Sequence, residues 1–196
     1  QGTLGGGEVL HPFAQRHRRS EEGVSARLAA LRTADLLQAC RAYLEVQSDF
    51  AAPLEEIYQG VNGREDEVAA LLAQDPEILP FPDKSHPEAY SVAGKWQRLT
   101  AEVGKILAAF HQSAPLSRGM EMESLRSQLP FSFSPKIFRA VTDKVVAEGV
   151  AVREESLLRL PSHSVKLTED EQGAAARLER FLQEGGLVPP EVKELE

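Results

Sequence analysis

The chain has 196 residues, of which 42% are hydrophobic and 27% charged, and its formal net charge is −8. This composition is typical of a globular protein with one large domain or two to three small ones. No apolar run approaches the length of a membrane span, the N-terminus has no signal-peptide core, and the single cysteine excludes an internal disulfide, so a cytoplasmic protein without membrane contact is expected.

The negative charge is unevenly distributed along the chain. Residues 21–95 carry −8 and residues 164–196 carry −4, whereas residues 1–20 and 96–163 carry +2 each. An acidic chain is poorly suited to coating a nucleic acid uniformly. Contact with a polyanion is therefore expected first in the segment 96–163.

Residues 1–20 begin with a glycine-rich stretch and end in a basic connector, QRHRRS. A phosphate-binding loop requires a Lys-Ser/Thr pair followed by a helix, and the glycines at positions 2, 5, 6 and 7 precede neither. We interpret the stretch as the end of a strand with a turn. No nucleotide is expected to bind here, and the five histidines show no metal-ligand spacing, so no metal is expected either.

Residues 21–95 show the hydrophobic period of helices and then that of strands. The predicted elements are a long helix with Ser25 as a possible N-cap, a short helix 54–58 that Pro53 opens, a third helix 64–74, and two strands, 77–81 and 88–92. Cys40 falls on the apolar face of the first helix, which indicates a buried structural thiol rather than a reactive one.

The same order returns in residues 96–163. The predicted elements are a helix 95–111, a short helix 122–129, a third helix from the N-cap Ser134 to about Glu148 with Gly149 as its stop, and a hairpin of residues 150–153 and 156–160. His111 is predicted to offset the dipole at a helix end. Ser162-His163-Ser164 is predicted to be a turn rather than a nucleophile beside a base.

Residues 164–196 begin the pattern a third time. Thr168 and Glu171 form a capping-box pattern, the helix that follows is predicted to run to about Gln183, and residues 189–196 are predicted to open another short helix. The repeat predicts a mainly α fold with small β-hairpin wings (α+β), built from tandem winged-helix modules. Its predicted parts are a connector (1–20), a first module (21–95), a second module (96–163) and an incomplete third module (164–196).

The modules are expected to form an elongated and fairly rigid tandem, because no flexible linker separates the first two. Trp96 and Phe110 are predicted to join them, and a hinge is conceivable near Ala93-Gly94 or Pro161-Ser162.

The third helix of the second module is the first candidate for nucleic-acid contact, because this helix of a helix-turn-helix enters a groove. Its predicted buried side carries Ile137, Phe138, Val141 and Val145. The candidate phosphate contacts are Lys136 and Arg139 on the opposite side, Lys144 at the flank, and Arg153 and Arg159 in the wing. Asp143 dilutes this charge, so a solvated polar face is the competing interpretation. The third helix of the first module begins with acidic residues 65–67, which would repel phosphate and favours a spacer or protein-contact role.

Three stretches resemble the bacterial selenocysteine-specific translation elongation factors (SelB). GTLGGGEVLHPF at 2–13 resembles the closing segment of their last β-barrel domain, and LAAFHQSAPLSRGMEMESLR at 107–126 resembles the start of their second winged helix. LPSHSVKLTEDEQ at 160–172 resembles the junction into the third. The resemblance implies a parent protein with a GTPase that uses GTP and Mg²⁺ and carries selenocysteyl-tRNA. It also implies C-terminal winged helices that bind an mRNA hairpin on the ribosome and recode UGA.

On this interpretation the chain is a C-terminal winged-helix arm that links the GTPase and tRNA-binding body to the module that binds the hairpin (SECIS). The chain would not be an enzyme, since no paired carboxylates, metal cluster or nucleophile constellation is present. The alternative is a DNA-binding winged-helix transcriptional regulator or a winged-helix protein-interaction module.

Overall fold

The computed structural model describes residues 35–165 and 169–185. Several predictions lie outside these residues: the glycine cluster and the barrel segment, the basic connector, the Thr168 cap, and the short helix 189–196. Everything below concerns the described part of the chain.

Three helices and a hairpin follow one another in the first module, as predicted. They are α1 (Leu36–Val46), α2 (Leu54–Gly60), α3 (Glu65–Gln74), β1 (Ile78–Phe81) and β2 (Ala89–Val92), and the two strands pair antiparallel. Ser25, the predicted N-cap of the first helix, lies outside the described residues, in which α1 begins at Leu36. Asp35 caps this helix, and its Oδ1 accepts a hydrogen bond from the backbone N–H of Leu37 at 2.9 Å, as short acidic side chains do at helix starts.

The second module repeats the order with one additional strand. Its elements are α4 (Ala93–Ser113), β3 (Met120–Glu121), α5 (Met122–Gln128), α6 (Pro135–Ala147), β4 (Val152–Glu154) and β5 (Leu157–Arg159). The three strands form an antiparallel sheet in the order β3-β5-β4. The sequence analysis missed β3 because two residues are too short to show a strand period.

The predicted caps of α6 are confirmed. The Ser134 hydroxyl accepts a hydrogen bond from the N–H of Ile137, with Pro135 in the first turn. Gly149 follows the helix with a φ of +72°, a left-handed conformation that glycine adopts without steric cost. These two signals fix where α6 starts and ends.

A short pairing before the second helix occurs in both modules. In the first, Ala52 forms an isolated antiparallel bridge with Tyr90 of β2, and in the second, Met120 of β3 pairs with Leu158 of β5. Each module therefore has the three-stranded edge of a winged helix, reduced to a single bridge in the first.

The helix predicted for the third copy is present as α7 (Glu169–Gly185). Leu178 and Leu182, one turn apart on its surface, are exposed.

Both modules contribute to one aromatic core. Phe50 is fully buried, and its ring centroid lies 5.3 Å from that of Phe81, 6.3 Å from Trp96, 5.7 Å from Phe131 and 5.4 Å from Phe133. Phe50 and Phe81 belong to the first module and the other three rings to the second. The predicted role of Trp96 in joining the modules is thus confirmed.

The backbone reinforces this junction. The N–H of Phe50 donates to the carbonyl of Ser132 at 3.0 Å, and the N–H of Ser132 donates to the carbonyl of Ser48 at 3.2 Å. The segment between α1 and α2 therefore pairs, in a short parallel bridge, with the segment between α5 and α6. The turn of the second helix-turn-helix is thus joined to the segment that precedes α2 in the first module.

Lys95 is a buried charge at the same junction. Its side chain is 1% exposed, its Nζ donates to the carbonyls of Gln47 (2.9 Å) and Asp49 (2.6 Å), and it lies 5.7 Å from the ring centroid of Phe131. Burial lowers the pKa of Lys95 to about 8, although the nearby carboxylates of Glu45 and Asp49 act in the opposite direction. Such a side chain is retained only where the carbonyls around it replace water.

A hinge at Ala93-Gly94 does not agree with this arrangement. Both residues lie in the first turn of α4, which follows β2 without a break, and the N–H of Ala93 donates to the carbonyl of Glu77 at 2.9 Å. Lys95 then fixes the same turn to the first module. The start of α4 is held on both sides and has no freedom to bend.

We predict that replacing Phe50 with alanine lowers the free energy of unfolding by about 3–5 kcal/mol, because a fully buried ring leaves a cavity among four other rings. Urea unfolding followed by far-UV circular dichroism and by Trp96 fluorescence measures this loss. The exposed Leu116→Ala is the matched control and should change stability by less than about 0.5 kcal/mol. In the wild type the two signals should give one midpoint, and two separate midpoints would contradict a shared core.

Candidate nucleic-acid interface

The two faces of α6 are those predicted. Ile137, Phe138, Val141 and Val145 are buried, whereas Lys136, Arg139, Asp143 and Ala147 are exposed and Lys144 is half-buried. The helix thus presents a polar face, and what that face can bind depends on how its charges are paired.

Lys136 is paired across the module boundary. Its Nζ contacts Oε1 of Glu88, which lies in the hairpin of the first module just before β2. In helix-turn-helix proteins the N-terminal residues of this helix approach the base edges. Here the hairpin of the first module contacts α6 and pairs with its first lysine, although the Lys136 side chain stays 67% exposed.

Lys144 is held at the other end of the helix. Its Nζ forms an ion pair with Oε1 of Glu148 at 2.8 Å and lies 5.1 Å from the centroid of the Trp96 ring. The indole N–H of Trp96 donates to the same carboxylate at 2.9 Å. Burial would raise the pKa of Glu148, but the hydrogen bonds from Lys144 and Trp96 outweigh it and lower that pKa. This group supports the aromatic core and leaves little of the Lys144 charge for a ligand.

The two wing arginines are also paired. Arg153 Nη1 contacts Oδ1 of Asp143 on α6 at 2.8 Å, and Arg159 Nε contacts Oε1 of Glu154 at 2.8 Å. The first of these ion pairs holds the wing against the helix. Among the described residues, Arg139 is the one candidate whose side chain has no ion pair or hydrogen bond. Phosphate contact by these five side chains stays a prediction.

A stacked histidine pair lies where the second module ends. The rings of His111 and His163 are 3.6 Å apart and nearly parallel, at 10°. His111 Nε2 accepts the N–H of Leu160 at 3.3 Å, and His163 Nε2 lies 2.9 Å from the carbonyl of Ser117. Because a carbonyl only accepts, His163 carries a proton on Nε2. The predicted turn at residues 162–164 is present, since the N–H of His163 donates to the carbonyl of Leu160 at 3.0 Å.

The predicted dipole role of His111 is wrong. The ring is 8% exposed, and its Nδ1 is buried without a hydrogen-bond partner among the described residues. Burial lowers the pKa of His111, and the charges of His163 and Arg159 lower it further. A neutral imidazole does not offset a helix dipole. Its function is to hold the exit of the wing against α4.

For metal sites and membrane-spanning helices, the structure allows a statement about the described residues alone. There, no group of three or more His, Cys, Asp and Glu side chains has the arrangement of a metal site. No helix in those ranges is long and apolar enough to cross a membrane. Cys40 is fully buried, as predicted, and burial raises the pKa of its thiol to about 11.

Known proteins agree with the fold and with the sequence resemblance. Residues 105–160, from the middle of α4 to the end of β5, match the family described as "Elongation factor SelB, winged helix". The chain also aligns with the selenocysteine-specific elongation factor of Desulfomicrobium baculatum at 24% identity over 204 residues. The resemblance to SelB is confirmed. The alignment covers 97% of this chain and 30% of that relative, so the chain spans about a third of the SelB protein that it matches.

A SelB winged helix of an elongation factor is not itself a catalytic domain. The segment that matches the family contains all five candidate cations and the helix α6. The alternative of a DNA-binding regulator stays a prediction, because Glu88 pairs with Lys136 at the end of α6 that would meet the bases but leaves that end exposed.

We predict that the chain loses stability as the pH falls below about 6.5, the ordinary pKa of histidine. The folded chain keeps His111 neutral, whereas the unfolded chain binds a proton at this residue. The contribution of His111 to stability is therefore complete above about pH 6.5 and is lost as the pH falls towards the lowered pKa. Urea midpoints at pH 7.5, 6.5 and 5.5 measure the slope.

The variant His111→Gln does not titrate and should show a shallower slope between pH 7.5 and 5.5 than the wild type. The control His86→Gln removes an exposed histidine of the first hairpin and should keep the wild-type slope. Equal slopes for the wild type and His111→Gln would contradict the assignment to His111.

Proposed function

We propose that this chain is the winged-helix arm of a selenocysteine-specific translation elongation factor. The arm links the GTPase and tRNA-binding body to the module that binds the mRNA hairpin (SECIS), so that selenocysteine is incorporated at UGA codons. The support is the SelB family match at residues 105–160 together with the 24% identity to the Desulfomicrobium baculatum factor.

The observation that carries the arm role is the shared core around Phe50. Two modules that could have been separated by a linker instead bury five aromatic rings together and pair their backbones between Phe50 and Ser132. A rigid connection keeps the effective concentration of a tethered group high at one place, whereas a flexible one spreads it over a volume. A stiff arm would hold charged tRNA near the recoded codon.

Charge pairing supports the same role. Four of the five candidate cations form ion pairs with the carboxylates of Glu88, Glu148, Asp143 and Glu154, which reduces the positive charge that this surface offers. A surface with so little unpaired positive charge gives weak non-specific binding to nucleic acids. We therefore assign hairpin specificity to a further module of the parent. GTP, Mg²⁺ and selenocysteyl-tRNA are proposed to bind to the parent's body, the ribosome and mRNA hairpin are its proposed partners, and the cytoplasm is its proposed location.

The first test is equilibrium binding of this chain to a selenoprotein-type mRNA hairpin and to a random DNA duplex across a salt series. The arm role predicts weak binding to both, with affinities that fall together as salt rises. Tight binding that selects the hairpin would mean that this chain reads RNA itself, and a clear preference for the duplex would favour the regulator.

The second test uses the parent factor and replaces the segment that corresponds to residues 35–165 of this chain with a flexible Gly/Ser segment of matched span. UGA recoding in a selenoprotein reporter should fall severalfold, while hairpin affinity and GTP hydrolysis, measured on the same purified protein, stay at the wild-type level. Those two measurements are the control that the rest of the parent is folded. Recoding at the wild-type level would contradict a rigid arm, because a passive tether would then suffice.

A further inference from the structure

A cleft of about 220 Å³ opens where the wing of the second module meets the segment that follows α4. Its lining residues are Arg118, Glu154, Arg159, His163, Ser164 and Val165. The cleft thus combines two arginines and a histidine from three separate parts of the chain. Among the five phosphate candidates of the sequence analysis, Arg159 alone lines it.

Gly119 brings Arg118 to the cleft. A Cβ at position 119 would lie 2.8 Å from the carbonyl oxygen of Leu158, closer than real Cβ atoms approach, and a tight 3.1 Å from Cβ of Leu157. The segment can therefore lie directly against β5 only with glycine here. The Ser117 hydroxyl, which donates to the carbonyl of Gly119 at 3.0 Å, braces the same turn. Arg118 is exposed and makes no ion pair or hydrogen bond with another described residue.

Arg159 is held in place before any ligand arrives. Its Nε donates to Glu154, and its Nη1 donates to the carbonyls of Leu160 (3.3 Å) and His163 (3.0 Å). None of the bonds within the described residues uses Nη2, which leaves two N–H donors of a fixed guanidinium. The stack of His163 on His111 fixes the neighbouring wall. A preorganised arginine loses little side-chain entropy on binding.

We propose that this cleft binds a phosphodiester group of a single RNA strand, with Arg118 and Arg159 as the contacts. Guanidinium groups match the geometry and charge of phosphate oxygens. The cleft is open to solvent at the base of the wing, so the backbone of an RNA strand can run through it. Its two arginines and Glu154 give it a formal charge of +1, with His163 counted as neutral. This inference rests on the proposed function, because it assigns the arm its own contact with RNA in addition to its spacing role.

The contrast with the other exposed arginines makes the proposal specific. Arg139 on α6 also has no ion pair or hydrogen bond among the described residues, but it does not line this cleft. Arg153 is paired with Asp143. A variant without the Arg118 charge and a variant without the Arg139 charge have the same net charge. A comparison of the two therefore distinguishes binding in the cleft from attraction to the whole surface.

The experiment measures the fluorescence anisotropy of a labelled single-stranded RNA 12-mer with the 196-residue chain, from 50 to 300 mM salt. Arg118→Gln should weaken binding roughly fivefold near physiological salt and reduce the slope of log K against log salt by about 0.7, the value for one lost phosphate contact on a single strand. Arg139→Gln is the matched control and should stay within twofold of the wild type. Glu154→Gln, which removes the carboxylate of the cleft, should tighten binding.

Two outcomes would overturn the proposal. Equal losses for Arg118→Gln and Arg139→Gln would mean diffuse attraction, and no loss for Arg118→Gln would mean that the cleft is unused. Titration with inorganic phosphate at constant ionic strength distinguishes the sources of the anion. If it displaced the RNA at submillimolar concentration, the site would be one for free phosphate. Each of these results leaves the arm role intact, because that role depends on recoding by the parent with a flexible replacement.

Discussion

The burial of Phe50 is the constraint on which the other features depend. This ring lies in the segment between α1 and α2 of the first module, yet three of its four ring neighbours belong to the second module. A connecting segment that buries such a ring against another module loses the freedom that a connecting segment usually has. The buried ammonium of Lys95 adds a second link between the modules, because it donates to the carbonyls of Gln47 and Asp49. The mutual position of the modules is therefore set by the core itself.

The mutual position of the two modules determines which charges of α6 are paired. With the modules joined at this segment, the first hairpin lies beside the start of α6, and Glu88 contacts Lys136. A surface ion pair of this kind contributes little to stability, but it occupies the charge that would attract a phosphate. The helix that defines the DNA-binding use of this fold is thus used for packing on one side and for ion pairs on the other.

The order of elements could be predicted from the sequence because apolar periodicity and caps are local signals. Ser134 and Gly149 bounded α6 at the residues where the structure begins and ends it. What the sequence could not show was long-range pairing. Lys136 and Arg159 were identified as cations, but Glu88 is 48 residues from the first, and no sequence pattern links them. Arg118 was overlooked for the same reason, although Gly119 after Pro115-Leu116 marked a place where backbones approach closely.

The two modules also show how one fold is adapted by charge. The third helix of the first module starts with Glu65, Asp66 and Glu67, which suit the positive end of its dipole and repel a phosphate. The third helix of the second module starts with a lysine, and a carboxylate from the first module neutralises it. Both helices thus start with a charge arrangement that weakens their attraction for phosphate. The proposed RNA contact in the cleft at the base of the wing, with its preorganised Arg159, does not depend on these helices.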